Sequence, residues 1–129
     1  MKIRKVSIGI QSLDDALSEF EKAAQAVSEG KKVRRTDAVN FTSLEAMRQV
    51  LTPKRIELLC LIREKAPGSV YELAAIAKRD ITNVQDDVGL LSRIGLLTLK
   101  KTKSPRPRLV PRVEYDQLQL QIPLSSQSR

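Results

Sequence analysis

The chain has 129 residues, of which 23 are Lys or Arg and 15 are Asp or Glu, so its formal net charge at pH 7 is +8. This length fits one modest domain with short additions, and the excess of cations favours a polyanionic partner such as nucleic acid. The chain contains no histidine and one cysteine, which excludes zinc fingers, histidine general bases and disulfide frameworks.

The rest of the composition gives little support for catalysis or for a membrane protein. Without histidine, an enzyme would need paired carboxylates, a Ser/Lys dyad or a phosphate loop, and the 5 glycines form no phosphate-binding pattern. No apolar run is long enough to span a bilayer, and no signal peptide opens the chain. We therefore expect a cytoplasmic protein that is not an enzyme and that needs no cofactor and no metal.

Residues 1–41 are predicted to form a strand, an amphipathic helix and a basic linker. Val6, Ile8 and Ile10 alternate with smaller or polar residues, as in a strand with one buried face. Ser12 is the predicted start of a helix that Gly30 ends. The apolar face of this helix comprises Leu13, Ala16, Leu17, Phe20, Ala23, Ala24 and Val27. This face must pack on the remaining chain, on a second copy or on a different protein.

The segment after this helix is strongly basic. Lys31-Lys32-Val33-Arg34-Arg35 is typical of a phosphate-binding arm or a nuclear signal, and equally of a solvated linker. Val39 and Phe41 then indicate a short strand. Thr42-Ser43-Leu44-Glu45 is a capping box, which predicts a short helix.

Three further helices are predicted between Thr52 and Gly95, each with a capping signal. Thr52-Pro53 places a capping hydroxyl before a proline at the first helical position. Ser69-Val70-Tyr71-Glu72 and Thr82-Asn83-Val84-Gln85 are capping boxes, and they lie close enough for a helix-turn-helix. The predicted inner faces are Ile56, Leu59, Cys60 and Ile62 in the first helix, Val70, Leu73, Ala74 and Ala77 in the second, and Val84, Val88 and Leu91 in the third.

Residues 96–113 are predicted to form the two-stranded wing of a winged helix-turn-helix. A turn or bulge at Asp116-Gln117 and a half-buried strand with Leu118, Leu120 and Ile122 follow, before a disordered tail from Ser125 to Arg129. The expected fold class is α+β and mainly α. It consists of a winged helix-turn-helix at 42–113, N-terminal additions at 1–41, and a C-terminal strand and tail at 114–129.

The outward face of the third helix carries side chains suited to reading bases. An amide can pair with adenine through two hydrogen bonds, and an arginine can pair with guanine or contact phosphate. Gln85 has an alternative role, because completing the capping box would turn it back onto the backbone. Asp87 lies off this face and is expected to pair with Arg79 or Lys78. The base-reading candidates are Thr82, Asn83, Gln85, Asp86 and Arg93.

Basic residues surround this helix in the sequence. The wing contains six of them and no acidic residue, and its Pro-Arg-Pro-Arg tip suits insertion of an arginine into a narrow minor groove. A solvated charged loop is the alternative. The candidates for contact with the DNA backbone are Lys54, Arg55, Lys78 and Arg79 around the helices, and Lys100, Lys101, Lys103, Arg106, Arg108 and Arg112 in or beside the wing.

Residues 44–122 resemble a family of prokaryotic regulators, the MarR-like winged-helix proteins. The resemblance is carried by Leu51-Thr52-Pro53-Lys54-Arg55-Ile56-Glu57-Leu58-Leu59, by Ser69-Val70-Tyr71-Glu72-Leu73-Ala74, and by the spacing of Arg79-Asp80, Val84, Asp87-Val88 and Gly95-Leu96-Leu97. Members of that family are often encoded beside small toxins and act as antitoxins. The resemblance implies DNA binding with autorepression, with toxin neutralisation as an additional activity.

Two functions of different classes follow. The first is a dimeric repressor that binds double-stranded DNA in a sequence-specific manner and is nucleoid-associated when bound. The second is an antitoxin-type protein that neutralises a small toxin and binds DNA secondarily. Contact with a second copy or a toxin is expected at Leu13, Leu17, Phe20, Ala24 and Val27 and at Leu118, Leu120 and Ile122. Structured RNA is a third ligand class, but the chain lacks an aromatic stacking platform.

Overall fold

The computed structural model describes residues 4–30, 38–103 and 105–124. In this part of the chain the protein is α+β, with five helices and five strands. In chain order they are β1 Lys5–Ile10, α1 Leu13–Ser28, β2 Ala38–Phe41, α2 Leu44–Val50, α3 Pro53–Lys65, α4 Val70–Ala77, α5 Ile81–Ile94, β3 Thr98–Lys101, β4 Leu109–Arg112 and β5 Gln117–Gln121.

The chain divides into two compact units. The helical unit consists of Val50–Gln117 together with Arg4, and the strand unit consists of Lys5–Gln49 together with the chain from Leu118 onward. The predicted segment boundaries lie after residues 41 and 113, whereas the chain passes from one unit to the other after residues 4, 49 and 117.

The strand unit contains a three-stranded sheet in the order β2-β1-β5. β1 and β2 are parallel and in register from Ser7 to Ile10. A parallel pair needs a long crossover, and α1 lies in the chain between the two strands. Alternation along β1 buries Val6 and Ile8, and Phe41 of β2 is also buried. The two strands predicted in this region are therefore confirmed.

Helix α1 begins at its predicted cap, because the Ser12 hydroxyl accepts a hydrogen bond from the Asp15 N–H at 3.1 Å. Gly30 follows the helix with a φ of 79°, a left-handed conformation that favours glycine. No residue of α1 is buried. The predicted basic segment Lys31–Arg35 and the tail from Ser125 lie outside the described residues.

Helix α2 is capped one residue later than its capping box predicts. The Ser43 hydroxyl, rather than that of Thr42, accepts a hydrogen bond from the Ala46 N–H at 3.0 Å. Serine and threonine are both good caps, so adjacent hydroxyls compete for the role. With Ser43 as the cap, Met47 makes the first helical hydrogen bond and is buried.

Helix α3 has its predicted start, with the Thr52 hydroxyl accepting from the Arg55 N–H at 3.3 Å and Pro53 as the first helical residue. Its buried face consists of Leu58, Leu59 and Ile62. The prediction that Cys60 is buried is wrong, since this cysteine is exposed. At about 100° per residue, Cys60 lies about 200° around the helix from Leu58 and therefore faces away from the core.

Helix α4 is capped by Ser69, whose hydroxyl accepts a hydrogen bond from the Glu72 N–H at 3.0 Å. The Glu72 carboxylate accepts from the Gly68 N–H at 2.7 Å, one residue before the cap. The helix ends at Lys78, which has a left-handed φ of 57°. Only residues 78–80 separate α4 from α5.

Helix α5 starts two residues earlier than predicted. The Asp80 carboxylate accepts hydrogen bonds from the N–H groups of Thr82 at 3.1 Å and Asn83 at 3.3 Å. The predicted capping box at Thr82–Gln85 is therefore wrong. Asp80 and Thr82 are both suitable caps. With Asp80 as the cap, Ile81 joins the helix, and the Asp80 carboxylate satisfies two backbone N–H groups that would otherwise lack partners.

Replacing Asp80 by Ala is expected to destabilise the helical unit by about 1 kcal/mol, because the Asp80 carboxylate is the N-terminal cap of α5. Thermal denaturation followed by circular dichroism measures the effect. The Thr82→Ala variant is the matched control and should have nearly unchanged stability. A larger loss for Thr82→Ala than for Asp80→Ala would restore the original cap assignment.

The core of the helical unit lies between α3, α4, α5 and strand β4, which contacts both α3 and α4. Gly95 ends α5 with a φ of 92°, and the chain then turns into the hairpin formed by β3 and β4. The predicted inner residues of α5 are confirmed. The buried side chains include Leu58, Leu73, Val84, Val88, Leu91, Leu96, Val110 and Val113.

The hairpin and the last strand follow the predicted order. β3 and β4 are antiparallel, with Thr98 opposite Arg112 and Lys101 opposite Leu109. The chain bends at Asp116, where a turn or bulge is predicted, and enters β5. β5 is less buried than expected, because it lies at the edge of the sheet and Leu120 is 56% exposed.

Candidate nucleic-acid interface

The outward face of α5 carries all five base-reading candidates. Its buried face, with Val84 and Val88, holds the helix on α3 and α4, so the opposite face is free to meet a ligand. Gln85 lies in the second turn and takes no part in the cap, because Asp80 fills that role. The candidates on this exposed face are Thr82, Asn83, Gln85, Asp86 and Arg93.

Gly89 lies at the centre of this face. A Cβ added at Gly89 would lie 3.7 Å from Nη1 of Arg93, so the arginine side chain folds back along the helix over the glycine. A glycine here gives α5 a low central surface on which the Arg93 guanidinium lies. The glycine costs about 1 kcal/mol of helix propensity relative to alanine.

The hairpin presents a basic surface. The loop between its strands is closed by Thr102, whose N–H donates to the Arg108 carbonyl at 2.9 Å and whose hydroxyl accepts from the Arg108 N–H at 3.0 Å. These two hydrogen bonds join the two ends of the loop, and the Arg108 side chain remains exposed. The predicted wing cations are all exposed: Lys100, Lys101, Lys103, Arg106, Arg108 and Arg112.

A cleft of about 750 Å³ brings the helix face and the hairpin together. Gln85 and Gly89 of α5 line one side, and Leu99 and Arg108 of the hairpin line another. Tyr71 at the start of α4 also lines it and is 69% exposed. Tyr71 is not among the predicted site residues, because its place between the capping residues Ser69 and Glu72 gives no signal of a cleft.

Two of the predicted backbone contacts are held in an ion cluster instead of pointing freely outward. The Asp87 carboxylate accepts hydrogen bonds from Nε of Arg55 at 3.0 Å and from Nη2 of Arg79 at 2.8 Å. The side chain of Arg55 is 22% exposed, that of Arg79 is 19% exposed and that of Asp87 is 14% exposed. Lys54 and Lys78, the other two helix candidates, are exposed.

The cluster confirms the predicted pairing of Asp87 with Arg79 rather than Lys78. Burial disfavours the charged form of Asp87, but hydrogen bonds and charges from Arg79 and Arg55 outweigh it, so the pKa of this carboxyl lies below its ordinary value of 3.8. Arg55 was not expected here, because it lies 32 residues away in the chain. The cluster ties α3, the connection between α4 and α5, and the middle of α5 together.

The surfaces predicted to meet a second copy or a toxin are largely uncovered. Leu13, Leu17, Phe20 and Val27 of α1 are between 53% and 71% exposed. In the last segment, Leu118 is half-buried, whereas Leu120 and Ile122 are 56% and 45% exposed. Both surfaces belong to the strand unit.

Two features are absent from residues 4–30, 38–103 and 105–124. No helix there is both long and apolar enough to cross a membrane. The same residues contain no group of three or more His, Cys, Asp or Glu side chains placed to hold a metal ion.

These observations define the class of protein: an α+β chain whose three-helix unit presents one helix face and a basic hairpin on a shared cleft. The HVO_A0114 family matches residues 50–120. This is more than half of the 129-residue chain, which therefore belongs to that family. The chain matches no curated protein and no solved structure.

Proposed function

We propose that the helical unit is a winged helix-turn-helix of the MarR-like kind that binds double-stranded DNA and represses transcription, including that of its own gene. In this assignment α4 and α5 are the two helices of the motif, joined by residues 78–80, and the hairpin is the wing. A connection of three or four residues is typical of helix-turn-helix motifs. The protein would be cytoplasmic and nucleoid-associated when bound.

The cleft between α5 and the hairpin carries this proposal. Gln85 and Arg108 line the same cleft, so a base-reading side chain and a wing cation open onto one surface. A duplex offers base edges in its groove and phosphates along its rim, which are the complementary partners. The net charge of +8 adds long-range attraction to such a polyanion.

In this mode of binding, α5 enters the major groove and the wing follows the adjacent backbone. The low surface at Gly89 allows close approach, and the Arg93 guanidinium above it is suited to guanine or phosphate. Lys54 and Lys78 supply further phosphate contacts near the ends of α3 and α4. Arg55 and Arg79 support α5 through Asp87, since their guanidinium groups already bind that carboxylate.

Fluorescence anisotropy with a labelled duplex tests the proposal. The duplex carries the DNA upstream of the protein's own gene, and a scrambled duplex of equal length and composition is the comparison. We expect binding to both, with at least about tenfold tighter binding to the upstream DNA because base contacts add to phosphate contacts. Equal affinity for the upstream and scrambled duplexes would reject autorepression. Absence of binding to both duplexes at low salt would reject DNA binding.

Replacing Gln85 by Ala is expected to weaken binding to the preferred duplex by about 1–3 kcal/mol and to change binding to scrambled DNA little. Its side chain is exposed and outside the cap, so the melting temperature should stay unchanged. Gln119→Ala, an exposed glutamine of β5, is the matched control. Equal weakening on both duplexes would show that Gln85 contacts the backbone instead of a base.

A second candidate function is an antitoxin-type interaction, which the uncovered apolar face of α1 favours. A small toxin encoded by a neighbouring gene would bind this face or the exposed part of β5. Co-expression with the neighbouring gene product and affinity purification measure the interaction. Retention by the wild-type chain, and loss in the Leu17→Glu variant, would support it. Absence of retention would leave DNA binding as the function.

A further inference from the structure

The cleft between α5 and the hairpin has an apolar interior that the proposed contact with a duplex does not use. Its volume of about 750 Å³ falls in the range of roughly 300–1,000 Å³ that is usual for sites of small organic ligands. A duplex meets a protein mainly through polar base edges and charged phosphates, which gain little from an apolar wall. The apolar residues that line the cleft are Val70, Val88, Leu99, Pro107 and Leu109.

Three functional groups open onto this cleft from three parts of the helical unit. Tyr71 lies in the first turn of α4, Gln85 lies in α5, and Arg108 directly precedes β4. All three residues are exposed, and in the described part of the chain no hydrogen bond or ion pair engages their side chains. The cleft therefore presents an aromatic ring, a primary amide and a guanidinium group that are available to one ligand.

Each of these groups has a matching part in an adenine nucleotide. A nucleobase stacks on an aromatic ring and is well placed between apolar walls. A glutamine amide forms two hydrogen bonds with the N6 amine and N7 of adenine, and an arginine binds phosphate through two parallel hydrogen bonds. We propose that the cleft is a binding site for an adenine nucleotide, whose base stacks on Tyr71 and pairs with Gln85 and whose phosphate binds Arg108.

Gly89 gives the base room beside α5. It lies one turn after Gln85 and also lines the cleft. A Cβ added there would meet Nη1 of Arg93 at 3.7 Å, which is ordinary contact, so packing within the folded chain does not require a glycine. Glycine also lowers helix propensity. A flat ligand that lies against the helix backbone explains why this position carries no side chain.

A carboxylate in the lining limits the charge of the ligand. Glu72 also lines the cleft, and its carboxylate accepts a hydrogen bond from the Gly68 N–H at 2.7 Å. Among the lining residues, one guanidinium is therefore set against one carboxylate, and a ligand with a single phosphate group fits this balance better than a triphosphate. Adenosine 5′-monophosphate (AMP) is accordingly the probe.

A nucleotide and a duplex compete for this cleft. Gln85 and Arg108 serve the base and the phosphate of the nucleotide, and the proposed function assigns the same two side chains to the duplex. One chain cannot hold both ligands through these groups, so the nucleotide releases DNA and relieves repression. This regulatory role rests on the proposed function, whereas binding of the nucleotide itself does not.

Isothermal titration calorimetry of the full chain with AMP, without DNA, tests the site. We expect one AMP per chain and a dissociation constant on the order of 10–100 μM for a ligand of this size in an exposed site. Guanosine 5′-monophosphate lacks the 6-amino group and should bind at least about fivefold more weakly. Ribose 5-phosphate lacks the base and should bind at least about tenfold more weakly. Absence of AMP binding at about 1 mM, or an affinity equal to that of either comparison compound, would overturn the proposal.

Variants of the lining test the assigned contacts. Tyr71→Leu should weaken AMP binding at least about fivefold, whereas Tyr71→Phe keeps the ring and should change it less than about twofold. Arg108→Ala should also weaken binding at least about fivefold. Arg112→Ala is its matched control, because it removes the same charge from an exposed position of the hairpin outside the cleft lining. Equal effects within either pair of variants would reject the corresponding contact.

Fluorescence anisotropy with the upstream duplex, at constant ionic strength, tests the competition. AMP at about ten times its dissociation constant should weaken duplex binding about tenfold, because the chain is then divided between two ligands. Ribose 5-phosphate at the same concentration is the ionic control and should have little effect. A duplex affinity unchanged by bound AMP would reject the regulatory role.

Failure of this inference is distinguishable from failure of the proposed function. A chain that binds duplex but not AMP would reject the nucleotide site and keep DNA binding. A chain that binds AMP but no duplex would do the reverse.

Discussion

Raising the salt concentration from 50 to 200 mM is expected to weaken duplex binding by about 10³- to 10⁵-fold. The exposed cations of the hairpin and helices suit contact with about six to ten phosphates in the expected dimer, and each contact releases condensed counterions on binding. A plot of log K against log salt should therefore have a slope of roughly −5 to −9. Anisotropy titrations over a salt series measure it, and a flat response with measurable binding would contradict this electrostatic interpretation.

The double variant Arg106→Ala/Arg108→Ala tests which residues supply these phosphate contacts. Two lost phosphate contacts per chain should weaken binding to every duplex and reduce the slope by about two per chain. The charge-matched control is Lys22→Ala/Lys65→Ala, which removes two exposed cations outside α5 and the hairpin. If the arginine variant affected a single duplex sequence only, the hairpin would be reading bases instead of contacting phosphates.

Replacing Asp87 by Ala is expected to have the largest effect on folding, a loss of about 3 kcal/mol or more. The substitution leaves Arg55 and Arg79 without their carboxylate in a site where they are 22% and 19% exposed. Nη1 of Arg79 is already buried without a hydrogen-bond partner in the described part of the chain, so this site has little capacity to compensate. For a domain of this size, the loss corresponds to a fall of at least about 10 °C in melting temperature.

The neighbouring Asp86 provides the control for this experiment. Asp86 is exposed and adjacent in the same helix, so Asp86→Ala should change stability by less than about 0.5 kcal/mol. Differential scanning calorimetry of both variants measures the difference. Similar melting temperatures for the two would show that the ion cluster contributes nothing to the packing of α3, α4 and α5.

The same cluster predicts a dependence of stability on pH. Because the pKa of Asp87 is lowered in the folded chain, its contribution is complete above the unfolded value, near about 4, and is lost as pH falls through the lowered native value. Wild-type stability should thus fall faster than that of Asp87→Asn between about pH 4 and pH 2. If the stability of the wild type and that of Asp87→Asn fell equally with pH, the charge of Asp87 would not contribute to stability.

Much of the helical unit follows from local signals in the sequence. The Thr52-Pro53 and Ser69 caps, the α5 row Val84–Val88–Leu91 and the Gly95 stop all lie where predicted. Such features depend on residues within one or two turns, so local hydrogen bonding and burial periodicity suffice to find them. Where two local signals compete, as at Asp80 and Thr82, the sequence alone gives the helix but not its first residue.

Other features were decided by tertiary structure, because they join residues that are distant in the chain. Arg55 meets Asp87 across 32 residues, and no periodicity predicts which cation a carboxylate will bind. The cleft depends on how α5 and the hairpin are placed, which follows from the shared core beneath them. The exposure of Cys60 and of the apolar face of α1 also needed the structure. An apolar side chain is buried only when another element covers it, and the sequence of a single helix does not specify that element.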